Sequence, residues 1–141
     1  LDQYRARYTS ELANGLGNLV NRVITLARKY ETEWTAPNAA DIAAIAPFVD
    51  AGREAFARYD IFGAMQAARE IVGFGNKLAD ERKIWIQAKE DLAAFTDTVS
   101  TIRAAVDEAV ALLSPVMPVK AEEIRAALAT RESAILFPRL T

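Results

Sequence analysis

Residues 92–113, LAAFTDTVSTIRAAVDEAVALL, set Leu92, Phe95, Val99, Ile102, Val106, Ala109 and Leu113 at alternating steps of three and four. That spacing keeps an apolar stripe on one side of a helix, whereas a strand would send neighbouring side chains to opposite faces. Ser114-Pro115 ends the segment, because proline lacks an amide donor and disfavours helical geometry in the residue before it. Pro118 then suits the first turn of a short helix carrying Ala121, Ile124 and Leu128. Upstream, Leu12, Leu16, Leu19, Val23, Leu26 and Tyr30 repeat the same period, predicting a long amphipathic helix from Arg5 to Tyr30. Asp41 to Arg58 reads as a second helix, with Pro47 as a first-turn residue or a kink. Ile61, Ala64, Met65, Ala68, Ile71, Val72, Gly75 and Leu78 cover the broad face of a third. After Asn76 the period loosens through Asp80, Glu81, Arg82 and Lys83 to an isolated Trp85, which predicts a turn between helices. Ile135 to Arg139 is apolar but short, and is expected to pack back onto the bundle. No alternation of period two is long enough for a sheet. The expected fold is all-α, a helical bundle of four main helices plus a short C-terminal helix and packed tail, forming one domain over residues 1–141.

Composition narrows the chemistry. Of 141 residues, 52% are hydrophobic and 26% charged, which is ample material for a core. There is no cysteine and no histidine, so disulfides, thiolate or imidazole metal sites and histidine acid–base catalysis are all excluded. No phosphate-binding loop occurs, and Gly15-Leu16-Gly17 falls inside a helical period rather than between a strand and a helix. The acidic pairs Asp80/Glu81 and Glu122/Glu123 read as solvated charges. Neither a catalytic group nor a metal ligand is assigned. No apolar run reaches the roughly 20 residues needed to span a bilayer and no leader-like segment opens the chain, so a soluble, cytoplasmic protein is expected. A start at Leu1 rather than Met points to a piece of something longer.

Net charge is -2, from 17 basic and 19 acidic side chains, which does not favour a global attraction to nucleic acid. The distribution is uneven. Residues 1–30 carry Arg5, Arg7, Arg22, Arg28 and Lys29 against Asp2 and Glu11, while residues 31–60 carry only Arg53 and Arg58 against six acids. Asn14, Asn18 and Arg22 stack along one ridge of the first helix, beside Gly15 and Gly17. Each of those glycines costs the helix about 1 kcal/mol relative to alanine, so something needs close approach there; tight packing by a neighbouring helix is the plainest account. An asparagine–arginine ridge can hydrogen-bond base edges, and a partly exposed tryptophan offers a face for an unstacked base. Trp85 could equally be a core anchor, and Asn18 and Arg22 an ordinary solvated face.

The wording of the first helix goes further. Residues 8–22, YTSELANGLGNLVNR, closely resemble the start of the anticodon-binding domain of methionyl-tRNA synthetase, a class I aminoacyl-tRNA synthetase. Residues 76–89, NKLADERKIWIQAK, resemble that family's asparagine, acidic, tryptophan, alanine-lysine segment. Leu113-Ser114-Pro115-Val116-Met117-Pro118 and Leu136-Phe137-Pro138-Arg139 resemble two later motifs, in the same order. The resemblance implies a bundle that follows a catalytic domain and recognises the CAU anticodon of methionine tRNA. It places Asn18 and Arg22 at base-reading positions and Trp85 where a tryptophan stacks on an anticodon base. The implied parent ligates methionine to tRNA with ATP and Mg²⁺. This stretch, lacking the adenylation signatures, is expected to be non-catalytic and without a cofactor of its own. Its implied partners are tRNA and the catalytic domain of the same chain, with no membrane and no DNA. The chain departs from the family at Leu78, where a tyrosine is common, and at Ile84, where a proline is common. The alternative is a stand-alone helical RNA-adaptor or protein-interaction module descended from such a domain.

Overall fold

The computed structural model describes residues 2–130. Six helices make up the described region: α1 Asp2–Lys29, α2 Ala39–Ala57, α3 Ile61–Glu81, α4 Ile84–Glu90, α5 Leu92–Leu113 and α6 Pro118–Thr130. No strand occurs among the described residues. The all-α expectation holds, and so do the spans of the four long helices to within a few residues. The expected tail packing at Ile135 to Arg139, with its Leu136–Arg139 motif, lies outside the described residues. One element is a correction. The segment around Trp85, expected to be a turn, is the seven-residue helix α4, entered through Lys83 at φ 45°. Seven residues are too few for a periodic signal, and this helix is fixed by the burial of Ile84 and Ala88 against the core. Pro47 also proves to sit inside α2 rather than in its first turn. It is exposed, so the missing amide falls on the solvent side.

Side-chain contacts fix the topology. Tyr8 stacks obliquely on Phe62 with ring centroids 5.1 Å apart, and further along Arg22 pairs with Asp80, so α1 and α3 run parallel. Between these contacts, a Cβ added at Gly75 would stand 2.8 Å from Leu19 Cδ2 and 3.7 Å from Ile102 Cγ2. Gly75 therefore lets α1, α3 and α5 converge on one point, the close approach for which a helix accepts a glycine. Gly52 does the same for α2 against Leu112 of α5. Around these points Leu16, Leu19, Met65, Ile71, Phe95 and Ile102 are fully buried.

The link from α1 to α2 docks on α5 through polar groups. Ser100 Oγ accepts from the Thr35 amide at 2.9 Å, and Thr101 Oγ1 accepts from the Asn38 amide at 2.8 Å. This accounts for a serine and a threonine buried in the middle of an apolar helix, since each satisfies a loop amide that would otherwise be stranded. Trp34 closes the same region by donating its indole N–H to the Leu128 carbonyl at 3.0 Å. Asn38 then caps α2, accepting from the amides of Ala40 and Asp41.

Candidate nucleic-acid interface

The corner between α3 and α4 decides where Trp85 points. Arg82 ends α3, Lys83 turns the chain in the left-handed region, and Ile84 follows, fully buried. With Ile84 committed to the core, its neighbour is rotated by about 100° around the helix and faces out. Trp85 is 45% exposed, which removes the core-anchor alternative; the tryptophan that anchors the core is Trp34. The corner is tied down from two sides. Arg82 Nη2 donates to both Asp41 carboxylate oxygens, at 3.0 and 2.8 Å, and Nη1 donates to Thr98 Oγ1 at 3.3 Å. The two departures noted in the sequence, Leu78 and Ile84, are both buried core positions on either side of this corner.

Opposite Trp85 lies the second half of α1. Asn21, Arg22, Thr25 and Leu26 line an open groove of about 400 Å³ with Ile84 and Trp85. Arg22 reaches across to Asp80 Oδ1 at 3.1 Å, which fixes the guanidinium near the groove while leaving most of its five donors uncommitted to that contact. Both partners are exposed enough for this pair to be weak, of order 0–1 kcal/mol, so a ligand can compete with it. The structure thus brings Arg22 and Trp85 to one groove. Asn18 sits one turn earlier on α1, exposed, and does not line that groove.

Two lining residues escaped the sequence reading. Asn21 and Thr25 stand three residues after Asn18 and Arg22 respectively, so a second helical row was available as a signal, but neither residue type is distinctive. Asn21 Oδ1 is buried without a hydrogen-bond partner, an acceptor held at the groove wall. The chemistry on offer is an aromatic face, a guanidinium, two small polar side chains and an apolar floor. That set suits a flat, hydrogen-bonding ring better than a purely apolar ligand. Among the described residues no group of three or more acidic side chains could hold a metal ion, and no helix is long and apolar enough to cross a membrane.

No family model matches the chain. It is 29% identical over 133 residues to a methionine–tRNA ligase of Thermomicrobium roseum, covering 89% of this chain and 23% of that protein. A methionine–tRNA ligase of Streptomyces coelicolor is 30% identical over 129 residues, covering 83% of this chain and 24% of that protein. The crystal structure of the apo form of Mycobacterium tuberculosis methionyl-tRNA synthetase superposes with a TM-score of 0.68 at 27% identity, covering 97% of this chain and 31% of that one. The chain spans less than a quarter of the length of these two curated relatives.

Proposed function

From its homology to part of methionyl-tRNA synthetase, we propose that this chain is an anticodon-binding domain, which holds the CAU loop of methionine tRNA in the groove between α1 and α4. The observation that carries this reading is the half-exposed Trp85 facing Arg22 across one groove, on a surface related to a tRNA-charging enzyme. Anticodon loops are single-stranded, so their bases can be splayed out, stacked on an aromatic ring and read along their edges. Trp85 supplies the stacking face. Arg22 supplies paired donors for a base edge, Asn18 an amide one turn along, and Asn21 and Thr25 supplementary polar contacts. The domain provides recognition alone. The ATP- and Mg²⁺-dependent joining of methionine to tRNA belongs to a catalytic domain of the parent, in the cytoplasm where protein synthesis proceeds.

A titration tests the proposal: the 141-residue chain against a CAU anticodon hairpin and a shuffled-loop control, at several salt concentrations. The CAU hairpin should bind more tightly at every salt level. Trp85→Ala should weaken it by one to two orders of magnitude, since a base–aromatic stack contributes about 1–3 kcal/mol. Equal binding of the two hairpins, together with no effect of Trp85→Ala, would point instead to a protein-interaction module.

A further inference from the structure

A second cleft lies further along α1, on the side where that helix meets α3 rather than α4. It measures about 260 Å³ and is lined by Tyr8, Glu11, Leu12 and Gly15 from α1 and by Arg69, Val72, Gly73 and Asn76 from α3. Gly15 and Gly73 are both helix-interior glycines, yet a Cβ added at either would meet nothing within 4 Å. Packing of the two helices therefore does not call for glycine at these positions. Gly75, two residues on, shows the contrast, because there a Cβ would collide with Leu19. Each open glycine weakens its helix relative to alanine without any return inside the fold. What both do is lower the floor of the cleft, so that an outside group can lie directly on the two backbones.

The surrounding chemistry says what kind of group. Arg69 hangs over the Tyr8 ring, its guanidinium carbon 5.4 Å from the centroid, so the cation rests against an aromatic face. Glu11 is offset by Arg7 at 3.5 Å, and Asn76 offers an amide at the opposite end. A cation, two edge-reading side chains and a flat floor match a nucleotide: phosphate to Arg69, base over the glycines, base edge to Glu11 or Asn76. The volume lies below the roughly 300–1,000 Å³ usual for drug-sized ligands, which favours a single ring system. Position links the cleft to the first groove. Gly15, Asn18 and Arg22 succeed one another on α1, and Asn76 precedes Asp80 by one turn on α3. Gly15 and Arg22 are about 10 Å apart along the axis, a distance spanned by about three nucleotides at stacked spacing and by fewer when extended.

We propose that this cleft receives a second unstacked nucleotide of the RNA strand whose other base meets Trp85. The proposal rests on the anticodon reading above and adds a separate subsite to it. The test uses Gly15→Ala and Gly73→Ala, singly and together, with Trp85→Ala alongside, in the 141-residue chain. Thermal melts should show each alanine raising Tm by a few degrees, because a helix-interior glycine is replaced where there is room. Titration with the CAU hairpin should show the double variant binding at least fivefold more weakly. A set of hairpins each lacking one loop base should then contain one member that binds wild type and double variant alike. A stabilised double variant with unchanged affinity, while Trp85→Ala weakens binding, would overturn the subsite and leave the first groove standing. A fall in Tm would also overturn it, since the glycines would then serve packing. If neither set of substitutions affects hairpin binding, the anticodon reading fails and the subsite with it.

Discussion

The Arg82–Asp41 pair offers the sharpest test of how the fold presents Trp85. The side chains are 30% and 17% exposed, and Nη2 lies 3.0 and 2.8 Å from the two carboxylate oxygens. An exposed pair contributes roughly 0–1 kcal/mol, whereas removing one partner of a fully buried pair costs roughly 3–5 kcal/mol. This geometry falls between, so Asp41→Ala should cost about 2 kcal/mol, or about 7 °C in Tm for a domain of this size. Part of that is the loss of an acidic side chain from the first turn of α2, where it also faces the helix dipole. A double-mutant cycle with Arg82→Ala removes that part and should leave a coupling of about 1–2 kcal/mol. The consequence for binding is indirect. Arg82 is three residues from Trp85 and adjoins the left-handed turn at Lys83, so freeing it loosens the corner that aims the indole. Both single variants should therefore lose several-fold in affinity for the CAU hairpin at a temperature where both remain folded. A coupling below about 0.5 kcal/mol, or full affinity in the folded variants, would refute this account of the corner.

Two further outcomes follow from the same geometry. Asp80→Asn removes the carboxylate that orients Arg22, and should lower the preference for CAU over a shuffled loop by a few-fold without weakening binding to the shuffled loop, as paired titrations would show. Tyr59, at φ 63° and 92% exposed, holds a left-handed conformation at the end of α2 with almost no packing to lose. Tyr59→Gly should stabilise the chain by about 0.5–1 kcal/mol in a denaturant titration, since a non-glycine residue in that conformation costs about 1–2 kcal/mol and glycine carries a larger entropic cost of ordering.

The long helices were legible because their apolar residues repeat over five or more turns. Phe95 to Leu113 and Leu12 to Tyr30 bury the faces that the spacing marked, with Leu26 and Tyr30 partly covered at the end of α1. Ends were legible where chemistry is local: α5 stops at Leu113, just before Ser114-Pro115, and α6 starts at Pro118. What the sequence concealed depends on partners distant in the chain. Ser100 and Thr101 look misplaced in α5 until the loop at residues 35–38 lies against them. Among the described residues, Glu31, Tyr59 and Lys83 are left-handed and take positions where glycine would be the readable signal, and no glycine stands there.

For the site, the decisive quantity is a rotation. Ile84 and Trp85 are adjacent, both large and apolar, and either could fill the core by composition alone. The arrangement Asp41–Arg82–Thr98, followed by the turn at Lys83, sets the phase of α4 so that Ile84 goes in and Trp85 comes out. A phase shift of one residue would bury the indole and leave Arg22 facing an isoleucine, with the same composition and the same six helices. Net charge is equally uninformative at this scale. The groove sets one guanidinium and one indole side by side, and Arg69 adds a second cation in the cleft further along α1. On the proposed anticodon reading, two or three such contacts would read a loop through its bases, where stacking and edge hydrogen bonds carry the discrimination, and so would need no excess of basic residues over the domain as a whole.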